Sequence, residues 1–246
     1  MQNRYVGDVG DYGKLALLRC LIGTSGLKLG VIWHMVEGEK TKTKDGKHRK
    51  YLAEGDLHLL QHVDKDLYIG FTQKNFLLED ASHCVQDLYD LLPSDSVCFD
   101  ENCHLIPSRN EWLGKAERKL ENCDILFFDP DNGVCNETAE VSSKHVRMNE
   151  LHRFWETGKS LIVYHHLGRE ESHDLQESRL RRRFVEIFRG AGIECFRFRR
   201  GTARSYFMII QPSHRQKLCA SVSKMPEKLA ALMSPLNEWR RKHSEI

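Results

Sequence analysis

The chain has 246 residues, 40% of them apolar and 29% charged, and a formal net charge of +2. That length suits one large α/β domain or two small ones, and the balance is ordinary for a soluble globular protein. No apolar run approaches the roughly 18 residues of a membrane-spanning helix, and the first residues lack the apolar core of a signal peptide, so a cytoplasmic chain without a membrane partner is expected.

In chain order, the first feature is a glycine-spaced segment, Gly7, Gly10 and Gly13, that reaches Lys14 and feeds a compact apolar helix beginning at Leu15. Such a segment can present backbone N–H groups to a phosphate with Lys14 as counter-charge, while Asp8 and Asp11 can equally be helix caps. Residues 29–36 read as the first strand. A polar loop follows over 37–50, long enough to serve as a lid. A loop over 61–66, a short strand over 67–71, and a helix over 75–92 closed by Pro93 come next. His58 and His62 have the i, i+4 spacing of a metal pair but lack the adjacent Glu of a metalloprotease helix, so a solvated or structural role is expected.

Residues 97–106 read as a small hairpin and 111–122 as an amphipathic helix. The eight cysteines include no Cys-x-x-Cys pair. They are expected to be reduced, and Cys98, Cys103 and His104 lack the second ligand pair of a zinc finger. Residues 125–128, Ile-Leu-Phe-Phe, form an unbroken apolar run that stops at Asp129-Pro130-Asp131-Asn132-Gly133. Such a run bounded by turn residues fits a strand buried on both faces of a parallel sheet. Its carboxyl end is where open α/β sheets bind ligands. Asp129 and Asn132 can alternatively cap the turn through their own backbone.

A helix over 141–158 leads to a second buried strand, 160–164, which ends at His165-His166. The two strands and their helix make a βαβ unit, so His165 or His166 is expected on the same sheet edge as Asp129 and Asp131. A charged helix over 172–190 and a hairpin of 194–200 with 206–210 follow. A helical tail runs from about 216 to 246, interrupted by Pro226 and Pro235. One α/β domain spanning 1–246 is expected, with a mostly parallel sheet closed by the antiparallel hairpin. Arginines gather in the last third, at 179 and 181–183 and again at 197–204, as a phosphate footprint or a solvated face.

Gly10-Asp11-Tyr12-Gly13-Lys14 before an apolar helix, Leu126-Phe127-Phe128-Asp129-Pro130, and Thr157-Gly158-Lys159 before the strand 161–164 together resemble the J-type ribosomal-RNA adenine-N6 methyltransferases. The resemblance covers about half the chain. It implies a three-layer Rossmann-like fold with helices on both faces, S-adenosylmethionine as cofactor, and Asp129 in the position of the catalytic Asp-Pro. Asp131 and Asn132 stand where that family carries Pro and an aromatic, and Val36-Glu37-Gly38-Glu39 stands where it carries a glycine-rich loop.

Three functions follow. In the first, a metal-dependent nuclease or phosphodiesterase, Asp129, Asp131 and His165 bind Mg²⁺ or Mn²⁺. His165 or His166 serves there as general base, and Lys14 stabilises developing charge. In the second, a divergent methyltransferase, Asp129 and Asn132 accept hydrogen bonds from an exocyclic amine. The third is a non-catalytic nucleic-acid or nucleotide binder. Asp11, Asn132, Arg169, Arg200 and Arg204 are the substrate-binding candidates, and nucleic acid is the expected partner. The extra Asp and His at a strand edge favour the first. A partner protein or a second copy of the chain can complete the site.

Overall fold

The computed structural model describes residues 1–36, 57–76, 78, 82–103, 108–135 and 142–235. A 3-10 turn at Asn3–Tyr5 leads into helix α1 (Val9–Gly23) and strand β1 (Leu29–Trp33). Helices α2 (Leu57–Val63) and α3 (Lys65–Gln73) and a 3-10 segment at Val85–Leu91 precede strand β2 (Val97–Phe99). Helix α4 (Ser108–Lys119) leads to β3 (Ile125–Asp129), followed by the two-residue strands β4 (Gly133–Val134) and β5 (His145–Val146). Helix α5 (Met148–Trp155) leads to β6 (Ser160–His166), and helix α6 (His173–Ile187) to β7 (Gly192–Phe198). The chain returns along β8 (Arg204–Ile210), then forms helices α7 (Arg215–Ser223) and α8 (Glu227–Leu232) and strand β9 (Met233–Pro235).

The main sheet has seven strands in the order β2-β1-β3-β6-β8-β7-β9. The first four run parallel. β8 is antiparallel to both its neighbours, and β9 is antiparallel to β7. Every residue of β1 and β3 is buried, which is why their sequences are apolar without alternation. The pleat still sorts the side chains. Val31, Phe127 and Ile162 pack with α1, α2, α3 and α7, while Ile32, Phe128 and Val163 pack with α4, α5 and α6. Each buried Phe of β3 contributes about 2 to 3 kcal/mol by leaving water.

Several elements differ from the sequence expectation. The strand expected at 67–71 lies inside α3. Asp64 caps that helix by accepting from the Leu67 N–H at 2.9 Å, and Leu67 and Phe71, one turn apart, share its buried face. Within the span expected as one long helix, 75–92, the described residues form the 3-10 segment, and Asn75, at a left-handed φ of 57°, ends the preceding helix instead of opening a new one. The residues expected to start a hairpin at 97 pair instead in parallel with β1, and Asn102 bridges Met35 in the same sense. The tail is helical only in part, because β9 adds a strand to the sheet edge. Among the described residues no helix is long and apolar enough to cross a membrane. The expected lid at 37–50, His104, the side chain of His58 and residues 236–246 lie outside the described residues.

Candidate active site

α1 begins at Val9, six residues before the expected start at Leu15, so Asp11 and Lys14 are helical residues one turn apart. Asp8 caps the helix by accepting from the Asp11 N–H at 2.9 Å. Gly7, at φ 84°, donates its N–H to Asp11 Oδ2 at 2.9 Å. The fixed Asp11 carboxylate receives Lys14 Nζ at 2.8 Å, and the same Nζ reaches Asp129 Oδ2, at the end of β3, at 2.7 Å. All three side chains are buried. Burial works to lower the Lys14 pKa, but the Asp11 and Asp129 carboxylates override it, and Lys14 stays an ammonium. Burial pushes both carboxyl groups above the usual range, against the opposing pull of Lys14.

Gly10 and Gly13 lie within the helix and not in a phosphate-cradling loop. Their lack of a side chain lets α1 approach the sheet: a Cβ on Gly13 would fall 2.7 Å from Phe198 Cε2, and one on Gly10 would fall 1.3 Å from Arg204 Nη1. The spacing that suggests an anion loop is here a packing device.

Parallel register places Asp129 beside Tyr164 and on its face of the sheet, and His166, two residues on, shares that face. Asp11, Lys14, Asp129 and Asp131 therefore meet Asn132, His166, Arg169 and Arg204 around one cleft of ≈ 450 Å³. Its walls also carry residues that were not singled out from the sequence. Tyr5, Tyr164 and Thr202 belong to this group, and no local pattern marks them. Asp131 is held by Gln2, whose Nε2 donates to Oδ2 at 2.7 Å, and the Met1 nitrogen stands 3.7 Å from Oδ1.

Two of the expected site residues stand apart. Arg200 does not line the cleft. His165 points to the opposite face, where its Nδ1 accepts from the Val134 N–H at 3.2 Å and its ring packs 6.3 Å from Phe207. Gly133, at φ 101°, leaves the room for that ring, since a Cβ there would fall 2.5 Å from His165 Nδ1. The expected metal set of Asp129, Asp131 and His165 is therefore not brought together. Among the described residues no group of three or more His, Cys, Asp or Glu is arranged to hold a metal ion.

Burial, reinforced by His166 and His145, lowers the His165 pKa from 6.5 to about 4. The unfolded chain thus binds a proton that the folded chain refuses, so stability is full above pH 6.5 and falls as the pH drops toward 4. The loss reaches up to about 3 kcal/mol. His165→Asn keeps an acceptor for Val134 without titrating. In urea unfolding it is expected to lose less stability than the wild type between pH 7 and pH 4, whereas parallel profiles would assign the acid loss to other groups.

Arginine, lysine, tyrosine and carboxylate side chains thus converge on one sheet edge, a setting suited to a zwitterionic or phosphorylated ligand. Compared with protein-family models and with curated proteins, the sequence gives no match in either case.

Proposed function

We propose that this chain is a nucleic-acid-acting enzyme that transfers a methyl group from S-adenosylmethionine to an exocyclic base amine, on a three-layer Rossmann-like fold. The observation that carries this reading is the bond from Lys14 to Asp129 at the carboxyl edge of the sheet. The Lys14 ammonium engages Oδ2 of Asp129 and fixes the carboxylate as a directional acceptor. The antiparallel hairpin beside β6 and the helices against both faces support the fold.

The donor set suits the cofactor. A mixed-charge cleft of ≈ 450 Å³ with two tyrosine rings accommodates a zwitterion carrying an aromatic base. Asp8 would take the ammonium, and Tyr5 would pack against the adenine. S-adenosylmethionine supplies, when bound, an electrophilic methyl group on a sulfonium. Asp129 accepts an N–H of the substrate amine and takes up the proton released as the nitrogen is alkylated; the burial that raises its pKa suits it to that role. Lys14 holds the carboxylate in place through both states. Asn132 supplies a second acceptor from the turn after β3. Among the described residues, the N-terminal segment, α1 and the ends of β3, β6 and β8 form the pocket.

The test is a side-by-side incubation of the protein and nucleic acid with labelled S-adenosylmethionine or with Mn²⁺. Label is expected in the nucleic acid without added metal, and Asp129→Asn is expected to lower transfer by at least about 100-fold. Metal-dependent cleavage would replace this reading with the phosphodiesterase. Binding without turnover under both conditions would replace it with the non-catalytic binder.

A further inference from the structure

Arg204 opens β8, is 6% exposed, and lines the cleft. Its Nη2 donates to Thr202 Oγ1 at 2.8 Å and its Nε to the Thr202 carbonyl at 3.3 Å. Its central carbon lies 5.8 Å from the centre of the Phe198 ring. These contacts orient the guanidinium without neutralising it. Among the described residues Arg204 forms no ion pair: Asp11 and Asp129 are both engaged by Lys14, and Asp8 accepts the Asp11 N–H. Asp8 acts on Arg204 only at longer range.

Burying a guanidinium without a counter-ion costs several kcal/mol. The fold nonetheless reserves space for it, since Gly10 lacks the Cβ that would fall 1.3 Å from Nη1. Two further cationic or ionisable groups share the cleft, the exposed His166 and Arg169. His166 is the register partner of Arg204 across the β6–β8 pair. Arginine presents paired donors that match the oxygens of a phosphate, and a desolvated guanidinium makes the stronger contact.

We propose that Arg204, braced by Thr202 and flanked by His166 and Arg169, is a phosphate subsite, so that the cleft takes its methyl-accepting substrate as a phosphorylated nucleoside unit and not as a bare nucleoside or a protein side chain. The proposal rests on the reading of the cleft as a nucleic-acid site and adds which part of the nucleotide it grips.

The test compares AMP with adenosine by calorimetry on the full chain at fixed ionic strength. The wild type is expected to bind AMP at least about tenfold more tightly, equivalent to about 1.4 kcal/mol. In Arg204→Gln the ratio is expected to fall below about twofold. Gly10→Ala, which displaces the guanidinium while keeping its charge, is expected to do the same. Inorganic phosphate is expected to raise the Tm of the wild type but not of Arg204→Gln. Should Arg204→Gln fail to fold, Gly10→Ala and the wild-type phosphate titration decide.

Equal affinities in the wild type, absence of binding by both probes, or a preference for AMP kept in both variants would overturn the subsite. So would loss of S-adenosylmethionine binding in Arg204→Gln with the AMP preference intact, which would give the guanidinium to a carboxylate. Phosphate preference without methyl transfer removes the methyltransferase reading and leaves the subsite standing. Methyl transfer without phosphate preference does the reverse.

Discussion

Lys14→Met is expected to lose about 3 to 5 kcal/mol of stability at pH 7 and all detectable turnover. Among the described residues Lys14 is the one cation bonded to both Asp11 and Asp129, at 2.8 Å and 2.7 Å, and all three groups are buried. Removing it leaves two carboxylates facing each other in a low-dielectric site, and breaking a buried ion pair from one side costs this much. The remedy open to the variant is protonation. With burial already raising both carboxyl pKa values above the unfolded 3.8, loss of Lys14 raises them further. A group whose pKa is higher folded than unfolded gives stability that is present at low pH and lost as pH rises through the folded value. The gap between wild type and variant in urea unfolding is therefore expected to narrow from pH 7 to pH 5. Adding Asp129→Asn to Lys14→Met removes one of the two charges and is expected to recover part of the loss. A Lys14→Met protein as stable as the wild type, or a gap insensitive to pH, would mean that the ammonium does not neutralise this pair.

The part of this site legible in the sequence is the part with a local signature. An unbroken apolar run that stops at Asp-Pro-Asp-Asn-Gly announces a buried strand and its carboxyl end. Asp129 is where that reading puts it, as the last residue of β3. The two histidines after the next strand could not be ranked from the sequence, because both end the same apolar run. The pleat ranks them once the register is known: with Asp129 beside Tyr164, only His166 shares the cleft face, and His165 belongs to the packing beneath Val134. The glycines of the first segment misled for a related reason. Spacing alone does not distinguish a loop that exposes N–H groups from a helix that must approach a sheet, and Gly10 and Gly13 serve the second purpose. Contacts across long stretches of chain left no local trace. The Lys14–Asp129 bond joins residues 115 positions apart, and the ion pair between Arg109 and Glu150 joins residues 41 apart.

That second pair carries the other large expected effect. Arg109 donates through Nε to Glu150 Oε1 at 2.8 Å and through Nη2 to Oε2 at 2.7 Å, both side chains being buried on the face of the sheet away from the cleft. Nη2 also donates to the His145 carbonyl at 3.0 Å, and Glu150 Oε2 accepts from the Arg147 N–H at 3.0 Å. The pair thereby pins β5. Strand β5 in turn pairs with β4, and the Asn132 N–H donates to the Lys144 carbonyl at 2.9 Å, just ahead of it. Glu150→Ala leaves a buried guanidinium without its carboxylate and is expected to cost about 3 to 5 kcal/mol. Replacing both partners, Arg109→Met with Glu150→Met, is expected to cost less than the two single changes summed, because no charge is then left unpaired. Stability alone would not separate a general core defect from loosening of the turn that carries Asp131. Hydrogen exchange does: the Asn132 and Cys135 amides, bonded to Lys144 and Val146, are expected to lose protection in Glu150→Ala more than the β3 amides do. Uniform loss across the sheet would show that the pair supports the whole fold and has no particular hold on the Asp131 turn.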